Sequence, residues 1–174
     1  MRTITEDILS WSKDFLEIPN KHLNNFPVCP YAKKTRLDNQ VNIIEHNDSS
    51  TYLEALIKEA NNFKGKISIV ACSDLSITAD ELADYIHALN YIYVPKDVYL
   101  MASHPEDFDE EIDFLQDTTW ESHNDFLMVL IQPFDELEAA SKSLNKIGYY
   151  KNWDKDYLSG TVEQRKQYKH LRKK

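Results

Sequence analysis

Apolar positions along the chain alternate between helical and strand spacing. A Thr3-Ile-Thr-Glu6 capping box precedes Ile4, Ile8, Trp11, Phe15 and Ile18, which recur at helical intervals until Pro19 ends the segment. Residues 20–38 read as a loop by their Asn, Pro and Lys content, interrupted by the apolar patch Phe26-Pro-Val-Cys-Pro-Tyr31. Its aromatic content argues for an ordered, functional loop. Gln40 to His46 predicts a first strand, and Lys66 to Cys72 a second. Between them Thr51-Tyr-Leu-Glu54 opens a helix with Leu53, Leu56, Ile57, Ala60 and Phe63 on one face. Thr78-Ala-Asp-Glu81 opens the next helix, which turns Leu82, Ile86, Leu89 and Tyr93 inward and is closed by Pro95.

The third strand, Val98-Tyr-Leu-Met101, is a continuous apolar run of the kind buried on both faces, and it stops on Ser103-His-Pro105. Glu106 to Glu121 is acidic, with Phe108, Ile112, Phe114 and Leu115 as anchors. A fourth strand spans Asp125 to Ile131, and Pro133 starts a helix carrying Leu137, Ala140 and Leu144 toward Gly148. Tyr149, Tyr150, Trp153 and Tyr157 are expected to pack back on the domain, because exposed aromatics at this density would form an unusual patch. Strand, helix, strand, helix, strand implies right-handed crossovers and three strands pointing one way, with the fourth free to return antiparallel. The expected fold is an α/β or α+β layered domain with a mixed four-stranded sheet; the alternative is a ferredoxin-like arrangement.

At 174 residues and 42% hydrophobic the chain suits one core, so residues 1–158 are read as a single domain and residues 159–174 as a basic tail. The net charge is −9, yet residues 165–174 hold six Lys or Arg and no acid, which leaves −15 on the rest. Such a body repels nucleic acid, so nucleic acid is not an expected partner. No stretch has the length of apolar sequence that crosses a membrane, and the charged start lacks a secretory pattern, which together predict a cytoplasmic protein. Three glycines exclude glycine-rich phosphate loops. Two cysteines, without Cys-x-x-Cys or His-x-x-x-His spacing, read as free thiols and not as a zinc framework.

Three parallel strands would bring His46, Cys72-Ser-Asp74 and Ser103-His104 to one sheet edge, and an antiparallel fourth strand would start there with His123 and Asn124. The competing view is that chains leave sheets through polar turns, where Asp, Asn, Ser and His are common. Cys29 is a further candidate, because Lys33 and Lys34 follow it and positive charge favours a thiolate. The plain alternative is a buried thiol acting as a small apolar side chain.

The segment Val28-Cys-Pro-Tyr-Ala-Lys33, with Trp11 before it and Leu100-Met-Ala-Ser-His-Pro-Glu-Asp107 after it, resembles an uncharacterised bacterial domain-of-unknown-function family. That family carries an N-terminal Trp, a Leu-Cys-Pro-Phe-Ala-Lys motif and a later Phe-His-Pro-Asp motif. The likeness covers roughly residues 8–107 and implies that Cys29, Pro30, His104 and Pro105 form one site. The family's Asn-Arg-Ser-Pro-Tyr-Pro block has no counterpart here.

Three functions fit these residues. One is an enzyme in which Cys29 is nucleophile and His104 base or acid, with Lys33, Tyr31, Asp74 and His123 contacting substrate. Another is a mononuclear metal site from His104 with His46, His123 or Asp74. The third is a non-catalytic binding or regulatory module in which the same residues are structural; a small-molecule ligand and a second copy of the chain, as a homodimer, are the expected partners. The sequence names no cofactor.

Overall fold

Four short strands need partners for their backbone groups and cover for two apolar faces, and the arrangement of the chain follows from both needs. The computed structural model describes residues 2–107 and 125–172. Strands β1 (Val41–His46), β2 (Ile67–Cys72), β3 (Val98–Ser103) and β4 (Leu127–Pro133) form one sheet in the order β1-β2-β4-β3. β1 and β2 pair in parallel, whereas β4 runs antiparallel to both β2 and β3. The first three strands therefore point the same way, as expected, with β4 inserted between the second and the third. This is a mixed four-stranded sheet in a layered α/β domain. Its adjacent parallel pair is foreign to the ferredoxin-like alternative, in which neighbouring strands are antiparallel.

The first face carries Val70, Cys72, Leu100, Leu127, Val129 and Ile131, all buried under two helices. These are α3 (Ser49–Asn62) and α4 (Ala79–Tyr93), which follow α1 (Ile4–Trp11) and the short α2 (Ala32–Leu37). The expected capping boxes form: Thr3 with Glu6 on α1, and Thr78 with Glu81 on α4. α3 begins two residues before the expected Thr51, because Asp48 accepts a hydrogen bond from the Ser50 N–H (2.8 Å) and serves as the cap. It buries Tyr52, whose hydroxyl donates to the Val70 carbonyl (2.7 Å), whereas Ile57 is 37% exposed.

The second face, with Val41, Ile43, Ile67, Ile69, Met128 and Leu130, is covered less completely. α1 lies against it through Ile4, Ile8 and Trp11, and its N-terminus is fastened to β1 where the Thr5 N–H donates to Glu45 (2.9 Å). A π-helical turn, Ser12–Leu16, then shifts the helical phase. Phe15 thereby packs with Leu23, Phe26 and Val28 in a separate cluster, and Ile18, expected inward, is half exposed. Across the face lies α5 (Phe134–Lys146), followed by the short α6 (Lys155–Thr161). Tyr149, Tyr150, Trp153 and Tyr157 stack edge-on or tilted with centroids 4.9–5.4 Å apart, so these aromatics do pack back on the domain.

β3 is an edge strand, and its outward groups are not left to solvent. The buried Asn90 side chain of α4 receives the Leu100 N–H (2.9 Å) and donates to the Leu100 carbonyl (2.9 Å), imitating a neighbouring strand. A 3₁₀ run, Glu163–Arg172, closes this edge further, with Tyr168 against Tyr99 and bonded to His87. Residues 163–172 were expected as part of a basic tail; Arg165 and Tyr168 are buried, so this stretch belongs to the packing. No helix among the described residues is long and apolar enough to cross a membrane. The acidic connection, together with His123 and Asn124, lies outside the described residues apart from Glu106 and Asp107.

Replacing Asn90 by Leu keeps the volume and strands a buried N–H and C=O. Urea unfolding is expected to show a loss of about 2–4 kcal/mol, whereas an exposed-site control such as Asn62→Leu stays within about 0.5 kcal/mol.

Candidate functional site

The second-face layers do not meet. α1 sits over the β1–β2 side and α5 near β3, and the described residues leave between them a cavity of about 530 Å³. Its floor is the sheet, with Ile43, Ile69, Met128 and Leu130. One wall is α1, through Ile8 and Trp11, and the opposite wall is α5, through Leu137 and Leu144. The loop residues Cys29 and Tyr31 and the aromatics Tyr149, Tyr150 and Trp153 close one end, and the other end reaches round β3 toward α4. A volume of this size, lined mainly by apolar and aromatic groups, falls in the range of small-molecule sites.

The loop bearing Cys29 is held from several sides. Pro19 and Pro27 form an isolated bridge, and Asn24 and Asn25 take left-handed backbone (φ 60° and 62°), which Asn tolerates well. The Cys29 N–H donates to the Leu16 carbonyl (2.9 Å), and the Tyr149 hydroxyl donates to the Val28 carbonyl. Behind it Arg36 makes a two-pronged pair with Glu17 (2.7 and 2.8 Å), and this guanidinium holds the Glu17 carboxyl below its ordinary range. The loop is thus built into the wall.

Cys29 is half-buried, and loss of solvent pushes its thiol up. The backbone N–H groups of Tyr31 and Ala32 pull it the other way, and the Glu17 carboxylate pushes it further up. Lys33 was expected to favour the thiolate. It is exposed, and its charge is felt at Glu17 instead.

His104 is only 3% exposed and is occupied elsewhere. The Glu106 N–H donates to Nδ1 (3.1 Å), which leaves the proton on Nε2 to donate to the Ile77 carbonyl (2.9 Å). The Glu106 carboxylate in turn accepts from the Ala79 N–H at the start of α4 (3.0 Å). The imidazole therefore ties the end of β3 to the loop before α4, and no hydrogen bond joins it to Cys29. Asp74 is likewise structural: it accepts from the Ser49 N–H (3.0 Å) at the start of α3 and from the Ser76 N–H (3.0 Å). Hydrogen bonds from Ser49 and then Ser76 hold its carboxyl far below the usual range. His46 packs edge-on to Tyr52 (6.1 Å). Tyr31, 44% exposed, stands at the cavity wall, and His123 lies outside the described residues.

Sheet direction does bring His46, Asp74 and His104 to one edge, yet Asp74 and His104 are engaged in holding a helix or turn, and His46 packs on Tyr52. Among the described residues no three His, Cys, Asp or Glu side chains come together as a metal set. Residues of both segments singled out by resemblance border the same long cavity: Cys29, Pro30 and Tyr31 from the first, and Met101, Ser103 and Asp107 from the second. Sequence reasoning missed the sheet face and the aromatic cover as site elements. The signal was present in the alternation of Val41, Ile43, Ile67 and Ile69 and in the Tyr149–Tyr157 cluster, both assigned only to packing.

Alkylation should modify Cys29 before Cys72, which is fully buried in the first-face core. Because burial raises the Cys29 thiol, its rate should rise with pH through a midpoint above that of a free thiol, and His104→Gln should leave that midpoint unchanged. His104→Ala, by contrast, is expected to lower stability by about 2–3 kcal/mol in urea unfolding. Comparison with protein-family models, with curated proteins and with solved structures found no match.

Proposed function

We propose that this chain is a binding protein for a small, largely apolar molecule held between the second face of the sheet and the aromatic cover. The observation that carries the reading is the cavity of about 530 Å³ over half-buried Ile43, Ile67 and Leu130, a floor that would otherwise be sealed as the first face is. The resemblance to the bacterial family fits it, since both motif segments contribute wall residues. Under this reading His104, Asp74 and Glu106 set the fold that holds the cavity open, and they take no part in chemistry.

A second reading is favoured by one detail. The backbone of Tyr31 and Ala32 lowers the Cys29 thiol against the effect of burial, an influence that favours attack by Cys29 on a bound electrophile. Cys29→Ser separates the two: simple binding survives it, whereas a covalent adduct visible by mass spectrometry does not.

The test of the main reading is a fluorescence titration with the neutral dye Nile red. Leu130→Trp places an indole in the open volume without crowding the core, so the variant should keep the wild-type unfolding midpoint and lose at least about tenfold in dye affinity. Equal affinity in a folded Leu130→Trp protein would overturn the cavity as the binding site.

A further inference from the structure

Along β4 the second-face row runs Met128, Leu130 and then Gln132, so an amide follows two apolar side chains. Gln132 stands opposite Tyr99 of β3 in the strand pair, and both border the cavity. The Gln132 amide is half-buried and has no partner among the described residues. Tyr99 is only 2% exposed, and its hydroxyl has no partner among them either. That hydroxyl is not sealed, however. The described side-chain nitrogens and oxygens that are both closed to solvent and unpartnered are the two indole nitrogens of Trp11 and Trp153. The Tyr99 oxygen therefore keeps accessible surface, and the cavity is what the residue borders.

Arg165 completes the group. It is buried, borders the same cavity and lies one turn before Tyr168, whose ring packs on that of Tyr99 with centroids 6.1 Å apart. Burial pushes the Tyr99 phenol up, and the Arg165 guanidinium is close enough to pull it the other way. Arg165 donates from Nε to Glu138 (2.9 Å), from Nη1 to the Thr161 carbonyl (3.2 Å) and from Nη2 to Ser141. One N–H on each terminal nitrogen is left over. Glu138 also receives Lys169 (2.6 Å), so two cations share one carboxylate. Buried donors left without acceptors are costly, and their convergence on a cavity marks where a ligand supplies what the chain does not.

Resting on the reading that the cavity holds a small molecule, we infer that its ligand is amphipathic, with an apolar body over Met128 and Leu130 and a carboxylate head taken by Tyr99, Gln132 and Arg165. The phenol, the amide nitrogen and the spare guanidinium N–H groups are all donors, and a carboxylate accepts several at once. Hydrogen bonds to an ionised acceptor are the stronger kind, and the surplus cation offsets the cost of burying the head. A neutral head would leave that charge unmatched, and a cationic head would be repelled by Arg165. At interior packing density, 530 Å³ accommodates about 20 non-hydrogen atoms, the size of a two- or three-ring acid or a medium-length acyl chain.

Three matched probes test this on the full chain by displacement of Nile red: 2-naphthoate, which is anionic; 2-naphthamide, its neutral isostere; and 2-naphthylmethylammonium, which is cationic. The naphthoate is expected to bind about tenfold more tightly than the naphthamide, with the ammonium weakest. The Tyr99 hydroxyl bonds to no group of the described chain, so Tyr99→Phe should keep the midpoint of urea unfolding. Gln132→Leu should keep it as well. Each substitution should narrow the preference for naphthoate over naphthamide to about threefold.

Equal binding of naphthoate and naphthamide, or tighter binding of the ammonium, overturns the inference and leaves the cavity reading standing. A preference for naphthoate that survives both substitutions at full strength places the anion on surface lysines, and it overturns the inference too. Failure of Nile red and of all three probes to bind overturns the cavity reading itself.

Discussion

Two apolar faces of one sheet must be covered, and this chain covers them unequally. On the first face, two helices of 14 and 15 residues lie over a floor whose central residues, Val70, Leu100, Val129 and Ile131, are fully enclosed. On the second, an eight-residue helix interrupted by a π-turn shares the work with a pinned loop, an aromatic segment and a helix at the far side. Burial of apolar surface drives folding, and the larger enclosed cluster among the described residues lies on the first face. The second face can then leave space over its floor, and this asymmetry underlies both the stability of the domain and its candidate site.

The polar residues at the carboxyl ends of the strands serve this arrangement. Asp74 fastens the start of α3, His104 and Glu106 fasten the start of α4, and Asn90 seals the β3 edge. Each satisfies backbone groups that burial would otherwise strand, which is why polar side chains gather where strands end. A carboxyl-edge cluster is often read as a ligand site, but here its hydrogen-bonding capacity is spent on the scaffold. The face beside it has the opposite character, with an apolar floor under an aromatic cover.

Much of the scaffold was legible in the sequence, because capping boxes and periodicity are local signals. Thr3–Glu6, Thr78–Glu81 and the inward set Leu82, Ile86, Leu89 and Tyr93 appear in the structure as the spacing implied. The π-turn after Trp11 was not legible, since one extra residue per turn shifts the face without changing composition, and Ile18 points outward as a result. The candidate site was legible only in part. Cys29 and Tyr31 stand in its wall, but pairing Cys29 with His104 required knowing on which side of the sheet each loop lies, and strand direction alone does not carry that information. Nor does a run such as Val41-Asn-Ile-Ile44 reveal whether its outer face is sealed or open, because both demand apolar residues.

The claim on which the account depends is that the second face, and not the first, receives a ligand. Nuclear Overhauser contacts between bound Nile red and assigned methyl groups test it directly. The account predicts contacts to Ile43, Ile69, Met128 and Leu130 and none to Val70, Val129 or Ile131, which point into the sealed core. Contacts to the latter set, or to surface methyls such as Ile92 and Ile147 alone, would contradict it.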